Sequence, residues 1–190
     1  MLILASTSPI RQQLLRQAGL EVVVLAPALD EAAVKQAHAG DAASLALRLA
    51  EAKALSVDRP GALVIGSDST LTVDGRGYSK PRDRAEAARH LAEFSGKEMI
   101  LSSAAALARD GIVEWSRVDQ ARLKVRPLSP EFIQSYLDAE WPSVAYCVGV
   151  FRMEGRGVNL FEAVEGSHFT ILGLPLLPLL DALRERGVKP

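Results

Sequence analysis

The chain has 190 residues, 48% of them hydrophobic, and a formal net charge of −1, which fits one domain, or two closely joined lobes, around a substantial core. A charge so close to zero excludes a general nucleic-acid binder, whose surface is normally basic. The single cysteine, Cys147, excludes an internal disulfide framework and fits a reducing compartment.

Leu2-Ile3-Leu4-Ala5 has the signal of a short buried strand. Met1 and this run lack a basic region and enter a turn at once, so no secretory signal is read. Ser6-Thr7-Ser8 follows, with Ser8 at a helix N-cap position and Pro9 at the first helical position. Free backbone N–H groups and Arg11 then stand together. Two readings fit: an ordinary strand–helix turn with a solvated arginine, or a site for an anion such as phosphate.

A first helix is expected from Pro9 to about Ala18, stopped by Gly19. Glu21–Ala26 reads as a strand through its valines. Residues 27–41 read as loop and carry the pair Asp30-Glu31. A helix from Ser44 to about Val57 has an apolar stripe at Leu45, Leu49 and Ala52. Lys53 falls at the flank of that stripe, where a lysine either snorkels to solvent or reaches over a cleft.

Ala62–Gly66 is a buried strand ending in Ser67-Asp68-Ser69-Thr70, and Leu71–Val73 continues extended into a hairpin turn at Asp74-Gly75. Tyr78-Ser79-Lys80-Pro81 returns from it. Asp83 caps a charged helix to Phe94, stopped by Ser95-Gly96. Glu98–Ala108 and Ile112–Val125 read as a hairpin joined at Arg109-Asp110-Gly111. Ser129-Pro130 opens a helix to about Ala139. Residues 141–157 are irregular, 158–164 read as a strand, and Gly173–Arg186 as the closing helix. The apolar run near Ile171–Leu180 is short and interrupted by Gly173, Pro175 and Pro178, so no membrane span is read. Helices and strands alternate at first and strands then dominate, which gives an α/β protein with a mixed sheet.

Ser8, Arg11, Glu31, Lys53, Asp68 and Lys80 lie at the ends of separate elements, where open α/β sheets gather ligands. Asp68 at a strand end either caps its own turn, or holds a divalent cation or takes a proton from water. Cations beside one or two carboxylates suit a polyphosphate bound with Mg²⁺. No serine-hydrolase elbow, Walker loop or G-x-G-x-x-G is present. His38, His90 and His168 lack zinc-site spacing, and His90, on a charged helix, reads as solvated. Cys147 reads as a small buried side chain, and Trp115 as packing; Trp141 is either packing or a base-stacking platform.

Leu4-Ala5-Ser6-Thr7-Ser8-Pro9-x-Arg11 resembles the opening signature of the Maf family of nucleoside triphosphate pyrophosphatases. The likeness continues through Ala26-Pro27-x-x-Asp30-Glu31, Leu47-Arg48-Leu49-Ala50-x-x-Lys53-Ala54, Ile65-Gly66-Ser67-Asp68, Lys80-Pro81 and Leu91-x-x-x-Ser95-Gly96. Cys147-x-Gly149-x-Phe151-x-x-Glu154-Gly155-x-Gly157, Leu160-Phe161-Glu162 and Leu172-Gly173-Leu174-Pro175-Leu176 are similar to the subgroup associated with 7-methyl-GTP.

The resemblance implies hydrolysis between the α and β phosphates of a nucleotide, releasing a nucleoside monophosphate and pyrophosphate. It implies one domain over residues 1–190, an elongated mixed α/β fold of two lobes around a central cleft, related to inosine triphosphate pyrophosphatases. Asp68 is then the general base and, with Glu31, a ligand for a divalent cation (Mg²⁺, Mn²⁺ or Co²⁺). Ser8, Arg11, Lys53 and Lys80 hold phosphates. Where the methyl-GTP subgroup has an aromatic and two arginines, this chain has Ile10-Arg11-Gln12, and where it has Gln after the catalytic Asp, this chain has Ser69. Glu154 is kept, so Ile10, Ser69 and Glu154 are the expected specificity positions. The partners expected are a nucleotide and a second copy of the chain in a homodimer, with no nucleic-acid polymer and no membrane; the setting expected is cytoplasmic. Competing classes are a nucleotidyltransferase, for which Ser6-Thr7-Ser8 is a poor substitute for a glycine-rich turn, and a non-catalytic nucleotide-binding regulator linked to cell division.

Overall fold

The structure, a computed structural model, describes residues 1–189. In chain order the elements are β1 (Leu2–Ala5), α1 (Pro9–Gln17), β2 (Val23–Leu25), α2 (Glu31–Ala37), α3 (Ala42–Leu55), β3 (Leu63–Val73), β4 (Arg76–Tyr78) and α4 (Arg84–Phe94). They continue with β5 (Glu98–Arg109), β6 (Ile112–Val125), α5 (Pro130–Glu140), β7 (Phe161–Glu165), α6 (His168–Ile171) and α7 (Leu176–Glu185). Two 3₁₀ turns, Ser143–Tyr146 and Arg156–Leu160, precede β7. The strands form a seven-stranded mixed sheet in the order β2-β1-β3-β5-β6-β7, with β4 paired to β3. β1 runs parallel to both β2 and β3, whereas β4 and β7 pair antiparallel with β3 and β6. The α/β mixed-sheet expectation therefore holds.

Both expected hairpin turns form. Asp74 and Gly75 have φ of 51° and 76°, and Asp110 and Gly111 have φ of 50° and 77°. Two successive left-handed residues make the turn whose twist matches that of the flanking strands, which is why Asp-Gly was readable there.

The chain divides into two compact units. The first comprises Met1–Ser69, Ser102–Gln120 and Ser167–Pro190. Its sheet is apolar on both faces, as the parallel strands β1, β2 and β3 require. Alternation sends Leu2, Leu4, Leu63, Ile65, Ala105 and Leu107 to one face, where Leu14, Leu15, Leu179 and Leu183 of α1 and α7 cover them. Ile3, Ala5 and Val64 turn to the other face. On that second face α3 packs through Ala46, Ala50 and Ala54 against Ala104, Ala106 and Ala108 of β5. Alanine against alanine brings a helix backbone close to a sheet.

The second unit comprises Thr70–Leu101 and Ala121–Gly166. In it α4 and α5 pack side by side. Tyr78 stands edge-on to Phe94, with ring centroids 4.8 Å apart, and its hydroxyl donates to Glu93 at 2.8 Å. Tyr136 of α5 donates to the Val150 carbonyl at 2.9 Å, and the buried Glu140 carboxylate pairs with Arg152 at 3.0 Å.

Several boundaries differ from expectation. Within residues 27–41, α2 forms with Asp30 capping it, its Oδ1 accepting from the Ala32 and Ala33 amides at 3.0 and 3.1 Å. This helix buries no residue, so it has no apolar stripe to read. α3 starts at Ala42 because Asp41 caps it through the Ser44 amide. β3 runs unbroken through Ser67–Thr70. Residues 158–160 belong to a 3₁₀ turn closed by the Asn159 side chain donating to the Arg156 carbonyl at 3.0 Å, and the strand begins only at Phe161. The closing helix starts at Leu176, since Gly173 at φ 95° is not helical, and the short α6 precedes it. His90 is not a solvated side chain. Its ring is half-buried edge-on to Tyr78 at 5.2 Å, and burial lowers its pKa. Among the described residues, no helix is long and apolar enough to cross a membrane.

Candidate active site

The two-residue period of β3 sorts its polar end. Leu63 and Ile65 face α1 and α7, so Ser67 and Ser69 continue on that side. Val64 faces the α3 side, so Gly66 and Asp68 continue there. Contacts in the first unit bear this out. Asp68 Oδ1 accepts from Lys53 Nζ of α3 at 2.5 Å, and the same ammonium lies 2.8 Å from Glu31 Oε1 at the start of α2.

Lys53 is buried at 6% exposure, so it neither snorkels nor lies free. Two carboxylates compensate its charge, the condition under which a buried ammonium is tolerated. Gly66 explains how α3 comes so near. A Cβ at Gly66 would collide with the Ala50 carbonyl oxygen and would stand 2.5 Å from the Ala54 amide nitrogen. Gly66→Ala is therefore expected to push α3, and Lys53 with it, off β3. Overpacking of this kind costs about 1–3 kcal/mol, and backbone obstacles place this case at the upper end. A fall in Tm of roughly 5–10 °C, measured by differential scanning calorimetry, is the expected readout.

Arg11, in the first turn of α1, lies on the opposite side of β3. Its Nε donates to the Gly173 carbonyl at 2.8 Å, Nη1 to the Ser67 carbonyl at 3.0 Å, and Nη2 to Ser69 Oγ at 3.0 Å. Burial lowers the guanidinium pKa, opposed by the charges of Asp68 and Glu31. Ser8 occupies the N-cap position of α1, yet its side chain makes no capping bond; its amide donates to Ser6 Oγ at 3.2 Å. Ile10 sits half-buried beside Arg11.

Lys80 and Glu154 are exposed in the second unit. Cys147, half-buried in that unit, has its thiol pKa pushed up to about 11, first by burial and then by the Glu154 charge. At pH 8 such a thiol should react with iodoacetamide roughly a hundredfold more slowly than the same cysteine in the urea-unfolded chain. A mass-spectrometric time course checks this. Trp115 packs against the α1/α7 core, as expected.

The Maf-like protein family matches residues 1–186. The chain belongs to this family. It is 49% identical over 98% of its length to a 7-methyl-GTP pyrophosphatase of Rhizobium meliloti (strain 1021), covering 96% of that protein. It is 46% identical over 97% of its length to a nucleoside triphosphate pyrophosphatase of Nitrobacter winogradskyi, covering 93% of that protein. The Staphylococcus aureus Ham1 protein shares its fold, with a TM-score of 0.50 at 15% identity, over 98% of this chain and 99% of that one.

In this Maf chain no group of three or more His, Cys, Asp or Glu converges among the described residues. Glu31 and Asp68 nonetheless share one ammonium, so two hard oxygen donors already meet at one point. That donor set fits an Mg²⁺-type ion, which takes one or two carboxylates and completes its shell with water and substrate phosphates.

Ser6, Ser67 and Ser103, which join Arg11 and Ser69 in hydrogen bonds, were not among the expected site residues, although Ser6 and Ser67 lie in the quoted motifs. Their signal was present: Ser67 and Ser103 are hydroxyls embedded in apolar or small-residue strand runs, Ser6 directly follows one, and buried hydroxyls need partners.

Proposed function

We propose that this Maf protein hydrolyses the α–β phosphoanhydride of a nucleoside triphosphate, releasing a nucleoside monophosphate and pyrophosphate. The observation that carries this is the Glu31–Lys53–Asp68 cluster at the polar end of β3, in a chain 49% identical to a named 7-methyl-GTP pyrophosphatase. Asp68 takes a proton from water, the water oxygen bonds to the α-phosphorus, and the bond to the bridging oxygen breaks, with pyrophosphate leaving on the electron pair. Lys53 keeps the Asp68 carboxylate oriented and offers its remaining N–H to phosphate. A divalent cation held by Glu31 and Asp68 would supply charge neutralisation on the phosphate oxygens. The same proposal gives Ser8, Arg11 and Lys80 a place in the phosphate-handling machinery, and Ile10, Ser69 and Glu154 a place in base selection. It includes a homodimer and a cytoplasmic setting, the latter supported by the single cysteine.

For the base, Glu154 favours a ring presenting N–H donors, as guanine does. Ile10 offers no π-face, and stacking of a cationic methylated base on a ring is worth about 0.5–2 kcal/mol. Discrimination between 7-methyl-GTP and GTP is therefore expected to be only about tenfold. Measuring kcat/KM for 7-methyl-GTP, GTP, UTP and dTTP with Mg²⁺, Mn²⁺ or Co²⁺, with pyrophosphate as the detected product, tests both levels. Turnover of guanine nucleotides to monophosphate and pyrophosphate is expected. Release of orthophosphate alone would overturn the reaction, and a clear preference for UTP or dTTP would overturn the role of Glu154.

A further inference from the structure

In the second unit, the segment from Cys147 to Gly157 carries Glu154, and its backbone is strained. Val150 has φ of 57°, in the left-handed region, and its side chain is fully buried. A β-branched residue is an outlier there, and such a backbone persists only where its surroundings over-determine it. Two bonds hold it. The Val150 amide donates to the Cys147 carbonyl at 3.1 Å, and the buried Tyr136 hydroxyl of α5 donates to the Val150 carbonyl at 2.9 Å.

Beyond Val150 the chain folds tightly about Arg152. The Gly155 amide donates to the Arg152 carbonyl at 3.1 Å, closing a turn with Glu154 at its third position. A Cβ at Gly157 would stand 2.5 Å from the Arg152 carbonyl oxygen and 2.8 Å from its amide nitrogen, so the chain returns directly onto residue 152. This turn is also anchored to α5. Glu140 Oε2 accepts from Arg152 Nη2 at 3.0 Å and from Nε at 3.3 Å. A Cβ at Gly155 would stand 3.4 Å from both Nη2 and Oε2, which puts the backbone after Glu154 against the ion pair.

Tyr136 and Glu140 lie four residues apart, on one face of α5. Both are buried, where a hydroxyl or a carboxylate needs a partner, and both find it in this one segment. Burial, and then the charge of Glu140, raises the Tyr136 pKa, which keeps the hydroxyl a donor. Neither side chain has a part in the hydrolysis proposed above.

We infer that Tyr136 and Glu140 are positioning residues: through Val150 and Arg152 they fix the turn that carries Glu154, and so set the base preference from α5. The inference rests on the base-selecting role proposed for Glu154. Its second readout, at Cys147, is independent of that role.

The test uses the full chain with Tyr136→Phe, Glu140→Ala, Glu154→Ala and the Tyr136→Phe/Glu154→Ala double variant. kcat and KM are measured for GTP and UTP with Mg²⁺. Phenylalanine keeps the ring and removes only the donor. Tyr136→Phe should lower the preference for GTP over UTP about three- to tenfold, through KM for GTP, with kcat within about twofold of wild type. Glu140→Ala should lower it at least as much. The double variant should show no lower preference than Glu154→Ala alone, because Tyr136 acts through that carboxylate.

An unchanged preference in Tyr136→Phe, or an equal loss with GTP and UTP, would overturn the inference. So would additive losses in the double variant. If Glu140→Ala fails to fold, Tyr136→Phe carries the test. If the wild-type chain turns over no nucleotide, or Glu154→Ala keeps the wild-type preference, the proposed function fails by itself. The hold on the segment is then read from iodoacetamide labelling of Cys147 in Tyr136→Phe, which changes no charge. Labelling at least about threefold faster than wild type, and insensitive to low urea, marks local opening and supports the hold. A wild-type rate overturns it.

Discussion

Asp68→Asn is expected to lose about 10²–10⁴ in kcat while the protein stays folded, because the loss of a general base costs that much and the amide keeps the side chain's shape. Asp68 sits at the one point where β3, α3 and the start of α2 bring two carboxylates onto one ammonium. Among the described residues no histidine contributes to that cluster. In the variant, Lys53 retains Glu31 at 2.8 Å and can still donate to the asparagine oxygen, so its charge is not stranded. Stability should therefore fall by only about 1 kcal/mol, the scale of one hydrogen bond changed from charged to neutral. Steady-state kinetics beside thermal melting separate the two effects. Near-normal turnover in a folded Asp68→Asn protein would remove Asp68 from the chemistry.

Lys53→Ala should damage both activity and stability, and this distinguishes it from Asp68→Asn. Removing the ammonium takes the 2.5 Å partner from the half-buried Asp68 carboxylate and leaves it facing Glu31, which keeps Lys35 at 4.0 Å. Breaking a fully buried pair costs about 3–5 kcal/mol, but Glu31 is 42% exposed and solvent screens its share, so about 2–3 kcal/mol is expected here. In a chain of this size, that lowers Tm by roughly 5–10 °C. Turnover should fall by at least about tenfold in addition, since the carboxylate loses the donor that orients it. Lys53→Ala combined with Glu31→Gln should recover part of the stability, because one of the two opposed charges is gone, and should recover no activity. A Lys53→Ala protein with wild-type Tm and kinetics would make the cluster an incidental surface pairing.

Much of the fold was legible in the sequence because the signals are local. Asp-Gly at residues 74–75 and 110–111 specifies its turns by the left-handed backbone both residues tolerate. Asp83, Ser129 and Pro130 mark helix starts because the unpaired amides of a first turn need an acceptor, and proline has no amide to leave unpaired. α2 escaped notice because seven residues with no buried side chain leave no periodic pattern. The 3₁₀ turn at Arg156–Leu160 escaped because Val158 carries strand propensity, while the Asn159 side chain closes a turn.

The ordered blocks from Leu4 to Leu176 determined the family by themselves, since block order along a chain requires no knowledge of where the blocks meet. Which residue holds which was decided only by tertiary structure. Lys53 lies 15 residues before Asp68, and whether it reaches solvent or that carboxylate depends on how closely α3 approaches β3, which the missing Cβ of Gly66 permits. Arg11 and Gly173 are 162 positions apart, and nothing local to either marks the bond between them. Asp68 and Ser69 are adjacent in sequence, but the two-residue period of an extended strand sends one to the lysine of α3 and the other to the arginine of α1. A run of polar residues at a strand end announces that chemistry is there; the face each side chain takes, and the helix packed on that face, decide which of them share it.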